Sequence, residues 1–234
     1  MLKMTVLSNI WNNLDWSVPL QLLLRVAPAL LCITLHELSH GAVAFLLGDT
    51  TARDAGRLTL NPIRHIDPMG LVMMVVFRFG WAKPVPVNMY RFKDPKGGMA
   101  LTALAGPVSN LLISVVFLFL YGLCYLPLYA RNTLGEAGRT LLEMFYLTAY
   151  ISLGMGLFNL LPVPPLDGSK VLYSALSQSA YEKLMRYERY GMIALLALVW
   201  SGVLGSPLSN AVTWLFDKLF AVAEFGFYLV GGSH

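Results

Sequence analysis

His36-Glu37-Leu38-Ser39-His40 is the stretch of this sequence best equipped to do chemistry. Histidines four residues apart lie one turn apart on one face of a helix, so both imidazoles can reach a single ion. Glu37 sits beside that face, close to any water the ion holds. Zinc lowers the pKa of such a water to about 7, and a carboxylate can then take its proton during attack on a peptide carbonyl. Chance produces this pattern in soluble helices, so its weight depends on where it lies.

It lies in lipid-compatible sequence. Residues 26–47 are almost unbroken apolar, about 33 Å of helix, which matches one bilayer crossing. An acidic side chain at mid-bilayer costs roughly 2.5–3.5 kcal/mol on insertion scales and so marks a functional group. Gly41, Ala42 and Ala44 follow at once and let other helices approach closely. The bland alternative is a trio of polar groups that joins helices by hydrogen bonds.

A catalytic zinc takes three protein ligands and a water. Asp167 is the candidate third ligand, set in the proline-rich run Pro162-Val163-Pro164-Pro165-Leu166-Asp167-Gly168. Rigid, non-helical backbone there can point a carboxylate back into the protein. Asp54, His65 and Asp67 compete from the loop after the first crossing, and spacing alone puts Asp167 only slightly ahead. Glu143 reads as a helix-end residue near the outer surface, and Cys32 as a small apolar packing residue.

The surrounding elements are those of a membrane protein. Apolar residues make up 56% of the chain and charged residues 13%, against about 25% in ordinary soluble domains; mean hydropathy is +0.61. Residues 1–234 are expected to form a single integral-membrane metalloprotease domain. It should be all-α and polytopic, with about five transmembrane helices over 26–47, 99–126, 140–161, 190–204 and 208–230. A membrane-reentrant β-hairpin is expected near 70–90. Residues 71–79 are too short to cross as a helix, and 82–88 alternate like a strand whose Pro84 and Pro86 blunt one edge.

The net charge of +4 is spread over loops without a lysine or arginine run, which argues against nucleic acid and fits a lipid surface. Arg53, Arg57, Arg64, Lys83, Arg91, Lys93 and Lys96 fall between the first two crossings. Lys170, Lys183, Arg186 and Arg189 fall between the third and fourth. The positive-inside rule puts both loops in the cytoplasm, with the histidines nearer that side of a cell membrane.

Three motifs in order resemble the site-2 protease family. They are His36–His40 in the first long crossing, Ala105-Gly106-Pro107-Val108-Ser109-Asn110, and Asn159-Leu160-Leu161-Pro162 through Asp167-Gly168. Gly56-Arg57-Leu58-Thr59-Leu60-Asn61-Pro62, His65-Ile66-Asp67-Pro68 and Gly80-Trp81-Ala82-Lys83-Pro84-Val85-Pro86-Val87-Asn88 are similar to its short subgroup, which lacks PDZ and CBS domains. The resemblance implies a zinc endopeptidase that cleaves transmembrane segments of protein substrates. It implies one Zn2+ held by His36, His40 and Asp167, with Glu37 as base. It also suggests that Asn110 or Asn159 positions substrate or stabilises the oxyanion; an interhelical hydrogen bond is the plainer role. A substrate helix is expected to unwind and add as a strand to the open hairpin edge at 71–79.

Two rival functions use the same residues. A divalent-metal transporter could pass ions through His36, Glu37 and His40, although the other crossings offer few ionisable groups for further binding steps. A catalytically silent scaffold is the other, and the intact Glu37 argues against it.

Overall fold

A backbone in hydrocarbon must bond to itself, so an apolar chain of this kind is driven into helices. The computed structural model describes residues 17–77, 80–187 and 190–232, and it is mostly helical. Helix α1 spans Ser17–Leu46 and carries the His-Glu-x-x-His segment. The short α2 (Thr51–Asp54), a 3-10 turn (Pro62–His65) and α3 (Pro68–Phe77) follow. Helix α4 runs Pro95–Tyr125 and continues through a π-helical turn, Leu126–Ala130. It starts where the sequence says it should: Asp94 accepts from the Gly97 amide at 3.1 Å, and proline occupies the first helical position. Then come α5 (Gly135–Asn159), α6 (Asp167–Ser174), α7 (Gln178–Tyr187), α8 (Gly191–Trp200) and α9 (Gly205–Leu229).

Three described helices are long and apolar enough to cross a membrane: Val26–Leu46, Pro95–Ala130 and Gly135–Asn159. A fourth span results if α8 and α9, bent by 85° at their junction, count as one. About five crossings were expected; by length and composition the described helices give three, or four with the bent pair. Helix α8 has 10 residues, about 15 Å, half the thickness of the hydrocarbon layer. Gly202, at φ +73°, turns the chain before it can extend further.

The reentrant hairpin is not seen. Among the described residues there is no strand, only an isolated antiparallel bridge between Ile66 and Ala82. Most of 71–79 belongs to α3; residues 78 and 79 lie outside the described chain. The cause is local. The Asp67 side chain accepts from the Met69 and Gly70 amides, both at 2.9 Å, and Pro68 fills the first helical position. That is a helix start, and it overrides the β-branched content of the run. Its backbone groups are therefore committed within the helix and offer no open edge for strand addition.

The strand expected over 82–88 does not form beyond the bridge at Ala82, but the segment is tied to the protein. The Lys83 amide donates to the His65 carbonyl at 2.9 Å, and the Lys83 carbonyl accepts from Arg57 at 2.7 Å. Lys83 thus turns its backbone groups toward the protein, while Pro84 and Pro86 offer no donors.

Helix α4 is central, with α1, α5 and α9 packed around it. Leu118, Ala149, Leu153, Phe216 and Ala223 form the buried cluster between α4, α5 and α9. In lipid such contacts rest on close packing, and small residues permit it. A Cβ on Gly122 would stand 1.8 Å from the Ala223 carbonyl oxygen, and one on Gly226 2.7 Å from that of Phe119.

Candidate metal centre

His36 and His40 come from one face of α1, and Asp167 from the first residue of α6. All three are buried, with relative exposures of 5%, 8% and 8%. The α6 start is held tightly against the end of α5: a Cβ on Gly168 would lie 2.1 Å from the Leu160 carbonyl oxygen. Ser169 Oγ donates to the Leu166 carbonyl at 2.7 Å, closing the turn that presents Asp167.

The donor atoms form a nearly equilateral triangle. His36 Nε2 and His40 Nε2 are 3.1 Å apart, and each lies 3.2 Å from Asp167 Oδ2. Tetrahedral zinc with bonds of about 2.0–2.2 Å wants ligand atoms about 3.3–3.6 Å apart, so the triangle needs only slight opening. His40 Nε2 and Asp167 Oδ2 face the centre as acceptors. His40 Nδ1 lies 2.7 Å from the Thr102 carbonyl, which can only accept, so Nδ1 carries the hydrogen and Nε2 presents a lone pair. Asp167 Oδ2 is buried and has no donor in hydrogen-bonding geometry.

Gly106 keeps the space open. A Cβ there would fall 2.5 Å from His36 Cε1, His40 Cε1 and His40 Nε2. Two imidazoles, a carboxylate and a cradle that even a methyl would fill suit a catalytic zinc.

Glu37 is half-buried, and its Oε2 accepts from the Val85 amide at 2.8 Å. Asn110 is fully buried, its Nδ2 3.2 Å from His36 Nδ1, and its carbonyl accepts from Ser152 Oγ at 2.9 Å. Asn159, half-buried at the end of α5, donates from Nδ2 to the Met155 carbonyl at 3.0 Å.

The competing ligands go elsewhere. Asp54 is exposed and bonded to Arg53 and Thr50, Asp67 caps α3, and buried His65 places Nε2 2.9 Å from the Thr59 carbonyl. Glu143 is exposed on α5, and Cys32 Sγ points to the Thr148 carbonyl. Among the described residues, the grouping of metal-binding side chains is His36, His40 and Asp167. Three contributors escaped the sequence: Gly106, the Thr102 carbonyl and the Val85 amide. Gly106 alone left a signal, as a small residue in an apolar helix beside a proline.

Comparison with known proteins points the same way. The description "Peptidase family M50" matches residues 126–201. The chain is 39% identical over 189 residues to "Putative zinc metalloprotease YwhC" of Bacillus subtilis, covering 81% of this chain and 83% of that protein. It is 31% identical over 196 residues to "Putative zinc metalloprotease Rip2" of Mycobacterium tuberculosis, covering 82% and 72%. A protein of Methanocaldococcus jannaschii, "Putative zinc metalloprotease MJ0611", is 31% identical over 138 residues, covering 58% and 62%. No solved structure matches the chain. A metal-competent triad with two of its three ligands in an apolar helix and this level of identity agree: the chain belongs to peptidase family M50, the site-2 proteases, and is a zinc metalloprotease of the membrane.

Proposed function

We propose that this metalloprotease is an intramembrane endopeptidase that hydrolyses peptide bonds within transmembrane segments of other proteins. The observation that carries the proposal is the position of the triad. His36 and His40 lie within Val26–Leu46, a helix long and apolar enough to cross the bilayer. A soluble protease has no reason to place its metal ligands there.

In this reading His36, His40 and Asp167 hold the metal through Nε2, Nε2 and Oδ2. Zinc so held supplies Lewis acidity, which acidifies a water and polarises the scissile carbonyl. Glu37, next in sequence to His36, takes a proton from the attacking water and returns it to the departing amine. The C–N bond breaks and a carboxylate and an amine leave, with no net proton gained by Glu37. The Val85 amide holds Glu37 Oε2, which leaves Oε1 for the proton. Asn159, half-buried just before the turn that presents Asp167, is the candidate donor to the carbonyl oxygen of the substrate.

The protein is read as a multi-pass component of the cell membrane, with its catalytic residues nearer the cytoplasm. The basic residues of 48–98 and 162–189 support that orientation. His40 also stands only six residues from the end of α1, about 9 Å along the axis.

The test is cleavage in liposomes of a single-span reporter and of the same sequence carried in a soluble fusion. The span should be cut within its apolar segment, chelation should stop cleavage, and added zinc should restore it. Cleavage confined to the soluble fusion or to extramembrane loops would sink the intramembrane assignment.

A further inference from the structure

His40 and His36 are held from behind by different kinds of partner. Behind His40 the Thr102 carbonyl, an obligate acceptor, fixes the hydrogen on Nδ1 at 2.7 Å. Behind His36 stands an amide, which can present either an oxygen or an NH2 group. The choice has a chemical consequence. If Asn110 Nδ2 faces Nδ1, that nitrogen must accept, and Nε2 then carries a hydrogen directed at the two other ligands. If Oδ1 faces Nδ1, the hydrogen sits on Nδ1 and the Nε2 lone pair is free. Asn110 Oδ1 is buried and unpartnered when Nδ2 faces the ring. Half a turn of the amide brings that oxygen to the Nδ1 hydrogen.

The location excludes direct work on substrate. Asn110 is 0% exposed and contacts Nδ1, whereas the triangle is built on Nε2, so the imidazole of His36 stands between them. The Asn110 backbone and Cβ are themselves held from the side of α5. Ser152 of α5 donates to its backbone carbonyl, and Gly156 of the same helix lies where a Cβ would come within 3.1 Å of Asn110 Cβ. Helix α5 therefore presses α4 and Asn110 against the ring.

We propose that Asn110 is a positioning residue for His36: its side-chain oxygen accepts from Nδ1–H and holds the tautomer in which Nε2 is a metal ligand. This rests on the zinc-site reading above. It assigns the pair a job that Thr102 performs for His40 with main chain alone. Partners of this kind typically contribute 10–100-fold to metal affinity.

The experiment is zinc affinity by chelator competition on the full-length protein in detergent, for wild type, Asn110→Leu and Asn110→Asp. Thermal unfolding in chelator checks that each variant is folded. Asn110→Leu keeps the branching at Cγ but removes the acceptor, and should bind zinc about 10–100-fold more weakly. Asn110→Asp restores an acceptor and should recover affinity to within about threefold of wild type. Equal affinity in wild type and Asn110→Leu overturns the proposal while leaving the zinc site standing. Equal losses in both variants also overturn it, because packing alone would then explain the residue. Failure of wild type itself to bind zinc overturns the underlying site and the proposal with it.

Discussion

The Val85 amide donates to the Glu37 carboxylate at 2.8 Å across 48 residues of chain. The proline on either side of Val85 has no N–H to offer, so the extended segment presents one donor at that point, and the base takes it. A hydrogen bond to a charged group is worth about 1.5–3 kcal/mol. Val85→Pro deletes this donor and should lower kcat about 10–100-fold. KM and zinc content should change little. Val85→Ala keeps the amide and should retain most activity. A Val85→Pro enzyme with normal kcat would show that the contact plays no part in orienting Glu37.

Gly106 offers a steric test of the metal centre. Its missing Cβ would sit 2.5 Å from carbons of both imidazoles and from His40 Nε2. Gly106→Ala should therefore weaken zinc binding more than about 100-fold, beyond the usual cost of losing an outer-shell partner. Gly205→Ala has open space around it and should bind zinc as wild type does. Chelator competition measures both; wild-type affinity in Gly106→Ala would refute the cradle.

The loop that carries Val85 is anchored by Asp49, which is fully buried. Burial opposes its ionisation, but Thr51 Oγ, the Asn88 and Thr51 amides and the Arg91 charge outweigh it and lower its pKa. A carboxyl lowered on folding stabilises above its unfolded value, about 3.9, and loses that contribution as pH falls through the folded value. The thermal midpoint of wild type should drop between about pH 5 and about pH 3. Asp49→Asn should start lower at neutral pH and fall less over that window. Parallel curves for the two proteins would remove Asp49 from the acid response.

Much of the centre was legible because it is local. The spacing of His36 and His40 encodes a shared helix face, and membrane depth raised the stakes of Glu37. Asp167 stood only slightly ahead of Asp54, His65 and Asp67 on spacing, because a third ligand from another element is a tertiary fact. Its place came from the family resemblance. The partners of these residues were not legible for the same reason. Thr102 and Val85 act through a carbonyl and an amide, neither of which has a side-chain signature, and Gly106, acting through a missing atom, left only its small size beside a proline. In the fold, 71–79 was assigned to a hairpin because it is too short to cross as a helix, while the helix-start signal of Asp67 and Pro68 just upstream went unused. The apolar residues of α8 and α9 announced membrane contact, but the 85° bend between them depends on the left-handed turn at Gly202.

The most direct test of the central claim pairs wild type with Glu37→Gln, scoring bound zinc and cleavage of a single-span substrate in the same preparations. Both proteins should bind one zinc, since Glu37 is outside the triad, and only wild type should cleave. Cleavage by Glu37→Gln at the wild-type rate, or absence of zinc from active wild type, would contradict the assignment of His36, His40 and Asp167 as ligands around a Glu37 base.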